Sequence, residues 1–196
     1  MLKRVSSGQS DTVTAPGDCV ARARQVGPLL ESCAAATEAE RQVAADAMVA
    51  LHEARLFRML IPRSCDGFEL KPADYVQVIE EIAKWDASTA WCMSQGSGCS
   101  MTAAYLAPSV AENVFGDRRA VFAWGPTDGK QKAYAVPGGY RVTGRWSFAS
   151  GMMHATWVGG HCIIVEPDGS IRMDADGKPL DRTMVMPKTS VTVTDV

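Results

Sequence analysis

The sequence predicts an α+β protein: an all-helical region over residues 17–117, followed by an antiparallel, β-barrel-like region over residues 118–196. Two observations predict this. Before residue 117, apolar residues recur at spacings of three and four, and prolines and capping residues punctuate the chain as they do helices. After it, glycine is frequent, β-branched and aromatic residues alternate with polar ones, and turn signals recur about every eight to twelve residues. Helices first and strands second implies two layers or two domains. The 196 residues suffice for one ordinary domain or two small ones, and 46% hydrophobic with 21% charged residues is a globular composition.

Residues 1–16, rich in Ser, Thr and Gly, read as a loose tail. Thr37-Glu38-Ala39-Glu40 has the pattern of a capping box, in which the Thr37 hydroxyl and the Glu40 carboxylate satisfy free backbone N–H groups. The helix it would open carries Ala44, Ala47, Met48, Leu51 and Ala54 on one stripe and ends before Pro62, with a turn at Asp66-Gly67. Pro72 suits the first turn of the next helix, whose face is Tyr75, Val78, Ile79 and Ile82, while Glu80, Glu81 and Lys84 point elsewhere. Asp86 reads as the N-cap of a helix from Ser88 to about Leu106. Its lack of charge predicts that it is largely buried. Residues 108–115 form a last short helix, closed by Gly116-Asp117.

Strands are expected at 120–124, 131–136, 140–148, 156–165, 171–173, 183–186 and 190–194. Pro137-Gly138-Gly139 and Pro167-Asp168-Gly169 are hairpin-like turns. The chain stops on a strand pattern, Thr192 to Val196, with no closing turn. An open edge strand is a liability, so the end reads as a truncation, with a short natural chain whose last strand is tightly paired as the alternative.

Several function classes are disfavoured. The net charge of −2 supplies no basic field for nucleic acid. The first ten residues lack the apolar core of a signal peptide. The longest apolar run, 157–165, contains Gly159, Gly160 and His161 and is too short to span a bilayer. The chain therefore reads as soluble and cytoplasmic, without a membrane or nucleic-acid partner. The six cysteines (Cys19, Cys33, Cys65, Cys92, Cys99 and Cys162) contain no C-x-x-C pair and fit neither a zinc site nor a disulfide scaffold. His52, His154 and His161 do not form a ligand set by spacing, so no metal is expected. His52 reads as a partly exposed helix residue, and a hydrogen-bonded structural role is favoured for His154. Dinucleotide, P-loop, zinc-protease and nucleophile-elbow motifs are all missing. The residues alone thus define a helical-plus-β globular protein.

Three stretches carry a resemblance. Residues 51–62, followed by Cys65-Asp66-Gly67-Phe68, are similar to the helix, proline exit and loop of the acyl-CoA dehydrogenase superfamily, with Asp66-Gly67 where that family usually has Gly-Gly. Asp86-Ala87-Ser88-Thr89-Ala90-Trp91 resembles the start of its central buried helix. Gly138 to Gly151, followed by His154-Ala155 and Trp157, resembles the two-component flavin-dependent monooxygenases that share the fold. Phe122-Ala123-Trp124-Gly125-Pro126-Thr127 stands where the dehydrogenases carry Leu-Thr-Glu-Pro and lacks the acidic residue, which again favours the monooxygenase side.

The resemblance implies an oxygenase component that hydroxylates an aromatic or polycyclic small molecule with reduced flavin and O₂. The flavin would be FAD or reduced FMN, supplied by a separate flavin reductase. It implies cofactor contacts at Trp124, Gly125, Pro126, Thr127, Trp146, Phe148, Ala149, Ser150 and Gly151, with aromatic rings as an apolar platform. Small residues would leave room for the polar edge. Ser150 is the first choice for a hydroxyl near the flavin N5, and Thr127 the second. Read without the resemblance, Trp146 and Phe148 are strand aromatics of a β core, and Gly151 permits a positive-φ turn. Trp91, Ser94 and Ser97, with Met93 beside them, fall on the helix whose counterpart borders the substrate pocket; as plain sequence they read as core. The family habit is a homotetramer. Its catalytic base lies in a C-terminal four-helix domain beyond Val196, so no catalytic residue is assigned here, and weak or no flavin binding is expected of the chain as given. An FAD-dependent acyl-CoA dehydrogenase is one competing reading; a non-catalytic binding or assembly fragment is the other.

Overall fold

A computed structural model of the chain describes residues 16–195; the expected N-terminal tail lies outside them, apart from Pro16. Five α-helices come first: α1 (Pro16–Glu40), α2 (Ala45–Glu53), α3 (Pro72–Ala83), α4 (Ala87–Cys99) and α5 (Pro108–Phe115). Their core contains Leu30, Leu51, Leu56, Met59, Val78, Ile82 and Met93, each fully buried. Helix α1 can approach α3 because Gly27 leaves space for the Trp85 indole, which would stand 2.3 Å from a Cβ there.

The expected helix starts hold for α3, α4 and α5. Pro72 and Pro108 occupy first turns, and the Asp86 carboxylate accepts the Thr89 N–H at 2.7 Å. The capping box works differently from its expectation. Thr37 and Glu40 lie in the last turn of α1, and the Thr37 hydroxyl accepts the Ala44 N–H at 3.1 Å, so α2 begins only at Ala45. The uncharged stretch after Asp86 is helical to Cys99 and then tightens into a 3-10 segment, Ser100–Tyr105. It is not buried throughout: Trp91 is 59% and Tyr105 88% exposed.

The sheet contains β1 (Phe122–Gly125), β2 (Lys132–Val136), β3 (Gly139–Thr143), β4 (Trp157–Val165) and β5 (Asp181–Pro187). It is mixed, where an antiparallel barrel was expected. β2–β3 and β4–β5 are antiparallel, but β1–β4 and β2–β4 are parallel. The reason is local. β1 and β2 lie one after the other along the same edge of β4, opposite residues 157–160 and 163–165, as one strand interrupted by residues 126–131. β5 covers the other edge of β4, and the described residues form an open sheet.

Two further strand expectations fail. Residues 171–173 form only isolated bridges, and 190–194 form no strand, because the chain leaves β5 through a 3-10 turn at Lys188–Ser190. The Gly138 and Gly169 turns adopt φ of +82° and +87°, as their glycines allow.

The helices and the sheet share packing. Phe115 of α5 lies 5.9 Å from Phe122 of β1, and Val121 joins the helical core. Arg58, 1% exposed, spans the same junction, donating to the carbonyls of Phe115 (2.7 Å) and Asp117 (3.0 Å) and to that of Cys65.

Candidate functional site

β4 carries two consecutive glycines in an apolar strand, a pattern that marks close approach of another segment. The segment is the strap of residues 144–151, which leaves β3 after Thr143 and crosses the sheet face that bears Ala123, Gly125, Val158 and Gly160. Trp146 lies on both glycines of this face. A Cβ on Gly125 would stand 2.4 Å from Trp146 Cβ, and one on Gly160 would stand 2.7 Å from Trp146 Cζ2. The indole N–H donates to the His161 carbonyl at 2.9 Å. Trp146 is therefore clamped to the sheet.

Beyond Trp146 the strap turns outward. Phe148 has φ +59°, a left-handed conformation unusual for a bulky residue, and its ring is 93% exposed. Gly151, at φ +79°, then passes α4 so closely that a Cβ would lie 3.2 Å from the Cys92 carbonyl oxygen. Between the strap, the glycine-bearing sheet face and residues 190–195 is a cavity of about 890 Å³, with Val158, Met186 and Val191 among its apolar lining.

The structure brings six of the sequence-expected cofactor residues to this cavity: Gly125, Trp146, Phe148, Ala149, Ser150 and Gly151. Ser150 is half-buried there, with no side-chain hydrogen bond among the described residues. The other three lie elsewhere. Trp124 points to the opposite sheet face, with its ring 4.6 Å from that of His161. Pro126 and Thr127 belong to the 126–131 excursion, where the Thr127 hydroxyl donates to Gln131 Oε1 at 2.8 Å and accepts the Gly129 N–H at 2.9 Å.

Of the three expected substrate residues, Trp91 is exposed on α4, next to the Cys92 that meets Gly151. Ser94 donates to the Trp91 carbonyl at 2.8 Å, within its own helix. Ser97 does not face the cavity; it is fully buried and donates to the Leu56 carbonyl at 3.2 Å.

The carboxylate of Asp195 lines the cavity but is ion-paired with Arg41. His154 follows the strap, but its Nε2 accepts the Val43 N–H at 3.0 Å, the structural role expected of it. Burial holds its pKa, and that of His52, below the ordinary histidine range. Among the described residues no cluster of three His, Cys, Asp or Glu side chains could hold a metal, and no helix is long and apolar enough to cross a membrane. Burial raises the thiol pKa of Cys92, beside Gly151, so this cysteine is protonated near neutral pH.

Sequence reading missed Gln131, Gly144 and Gly160. Gly159-Gly160 did carry a signal, as a glycine pair inside an apolar strand. A lone glutamine carries none.

The chain matches the family model described as the acyl-CoA dehydrogenase N-terminal domain over residues 23–111. It is 30% identical over 154 residues to indole-3-acetate monooxygenase of Pseudomonas putida, a match covering 79% of this chain and 37% of that protein. It is also 30% identical over 175 residues to the flavin-dependent monooxygenase oxygenase subunit HsaA of Rhodococcus jostii (strain RHA1), covering 86% and 42%. Among solved structures, XiaF from Streptomyces sp., in complex with FADH2 and glycerol, superposes with a TM-score of 0.82 at 26% identity, over 92% of this chain and 44% of that one. The chain thus spans about two fifths of the length of these relatives. The matched domain, the relatives and the shared fold all bear out the resemblance to the acyl-CoA dehydrogenase superfamily, and the matches fall on the N-terminal and middle parts of flavin-dependent monooxygenase oxygenase components.

Proposed function

We propose that this chain supplies one wall of a flavin site in the oxygenase component of a two-component monooxygenase that hydroxylates an aromatic or polycyclic substrate. The observation that carries the reading is the cavity of about 890 Å³ beneath a strap that exposes Phe148 and offers small residues at 149–151. That volume lies within the roughly 300–1,000 Å³ usual for cofactor sites, and its lining mixes apolar side chains such as Val158, Met186 and Val191 with polar ones such as Ser147, Ser150, Thr192 and Asp195. A flat tricyclic ring system suits it: Phe148 offers a ring face, Val158 and Met186 an apolar floor, and residues 149–151 the backbone polar groups for a heteroatom edge.

When bound, reduced flavin delivers two electrons to O₂, so that one oxygen atom enters the substrate and the other leaves as water. The residues of this chain bind, orient and exclude water. Trp146 fixes the strap to the sheet, Gly151 lets it approach α4, and Ser150 places a hydroxyl at the polar edge. Trp91, adjoining the strap on α4, is the candidate for substrate contact. Trp124 lies on the opposite sheet face, and Pro126 and Thr127 lie in the 126–131 excursion next to Gly125. The reduced flavin, FAD or FMN, would come from a separate reductase. A homotetramer is the oligomer that the family resemblance implies.

The test is titration of FMN and FAD, oxidised and dithionite-reduced, into the isotopically labelled chain. Saturable shifts of the Trp146 indole and the Ser150 and Gly151 amides are expected, with weak affinity. Unmoved resonances at 144–151 would overturn the site, and tight stoichiometric retention through gel filtration would overturn the view that this chain holds one wall only.

A further inference from the structure

We propose that Gln131 is a positioning residue that makes the two loop segments beside the cavity move as one. The assignment of the cavity to flavin is the reading above; the brace itself rests on the geometry of Gln131.

β1 and β2 would be one continuous strand but for residues 126–131, and the strap of 144–151 leaves the sheet beside that break. Gln131 joins the two. It is 4% exposed, which is rare for a glutamine and requires that its amide be satisfied. Its Oε1 accepts from the Thr127 hydroxyl at 2.8 Å and from the Asp128 N–H at 3.1 Å, and its Nε2 donates to the Arg145 carbonyl. The orientation of the amide follows from these partners, since a backbone N–H can only donate and a carbonyl can only accept. The Gln131 carbonyl takes the Ile163 N–H at 2.9 Å, anchoring the residue to β4.

Gly144 completes the joint. A Cβ there would fall 2.6 Å from Gln131 Cγ and 3.1 Å from its Cα, so the strap can leave β3 at this height only as glycine. One side chain therefore sets the separation between the excursion after Gly125 and the start of the strap. Trp146 sits two residues beyond Gly144, so a shift at Arg145 is passed directly to the ring clamped on Gly125 and Gly160.

The two arms of the amide can be cut separately. Gln131→Glu keeps the acceptor for Thr127 and Asp128 but sets an oxygen against the Arg145 carbonyl, whereas Gln131→Met removes both arms at similar volume. Hydrogen exchange of the free chain, read by mass spectrometry, is expected to rise about tenfold at 144–151 in Gln131→Glu, the equivalent of one net hydrogen bond, with 126–130 unchanged. In Gln131→Met both segments are expected to rise. Protection in α3 and α4 should stay as in the parent for both variants. Flavin affinity, read from the Ser150 and Gly151 shifts, is expected to fall about tenfold in Gln131→Glu.

Unchanged exchange at 144–151 in Gln131→Glu would overturn the brace, as would an equal rise throughout the helices. Raised exchange with unaltered flavin shifts would overturn the positioning role. Absence of flavin shifts in the parent chain would remove the cofactor wall, and with it that role, and is distinguishable because it needs no variant.

Discussion

At the scale of single residues, the strongest commitments are buried polar groups that join segments distant in sequence. Arg58 is the clearest. Its guanidinium is out of water, burial lowers its pKa, and it is satisfied by carbonyls at the end of α5, at Asp117 and in the 63–66 turn. The C-terminal end of α5 is also the negative end of that helix, a favourable place for a cation. Arg58→Met fills the volume but leaves those carbonyls without a donor in a site closed to water. A loss of about 3 kcal/mol is expected in urea denaturation, with a fall of roughly 6–12 °C in Tm for a chain of this size. Arg58→Lys should recover only part of it, since one ammonium lacks the five-donor fork. A variant as stable as the parent would show that water reaches the junction. Arg58 was visible in the sequence only as a cation inside Leu56-Phe57-Arg58-Met59-Leu60-Ile61; which carbonyls it meets depends on a helix some sixty positions away.

At the scale of elements, the 144–151 strap stores what the sheet did not need. Phe148 lies in a left-handed conformation with its ring in solvent, so its fold-level contribution is close to nothing and its backbone strain is about 1–3 kcal/mol. Phe148→Gly is expected to raise stability by about 1 kcal/mol and, if the ring lies on the flavin, to weaken the flavin-induced shifts severalfold. Gly160→Ala should do the opposite to the fold, costing about 1–3 kcal/mol by driving a methyl into the Trp146 ring. Thermal melts of the two variants check both signs. A Phe148→Gly protein less stable than its parent would mean that the ring has a partner.

The strap also marks where reading the sequence stopped working. Tyr140 to Thr143 alternate as a strand should, and the pattern continues through Trp146 and Phe148, so the whole segment reads as one strand. Alternation reports a pleated, half-buried surface and does not reveal that Gly144 lifts the chain off the sheet. The helices α3 and α4 were legible because caps and a 3.6-residue period are local; α1 was harder, with Gly27 and Pro28 in its middle. Strand partners are not local, and this is why the parallel pairings of β1 and β2 with β4 were missed. At the cavity, Gly125, Gly151, Trp146 and Phe148 were legible through resemblance, while Gly144 and Gly160 were not singled out. Gln131 was not, because a buried brace and an exposed turn residue are the same letter.

At the scale of the whole molecule, the helices and sheet are held together by ties that differ in their response to acid. His154, in the 152–154 turn, reaches across to the start of α2's approach and accepts the Val43 N–H through Nε2. Val43 can only donate, so a proton on Nε2 would set two donors against each other. Burial and the nearby Lys188 both disfavour the charged form, and the pKa of His154 is lowered from its ordinary 6.5. His52, in α2, is lowered too, by burial first and then by Arg119 and His154, with Asp117 opposing. In each case the unfolded chain takes up the proton before the folded one. Stability from these residues is therefore intact above about pH 6.5, falls as the pH drops below that value, and levels off once the folded histidines titrate as well. Tm is expected to decrease between about pH 7 and about pH 5. His154→Gln, whose amide oxygen can still accept from Val43, should remove part of that decrease and leave the remainder to His52. Parallel melts of the parent and this variant across the range decide it: identical pH profiles would mean that His154 is not the tie that acid loosens.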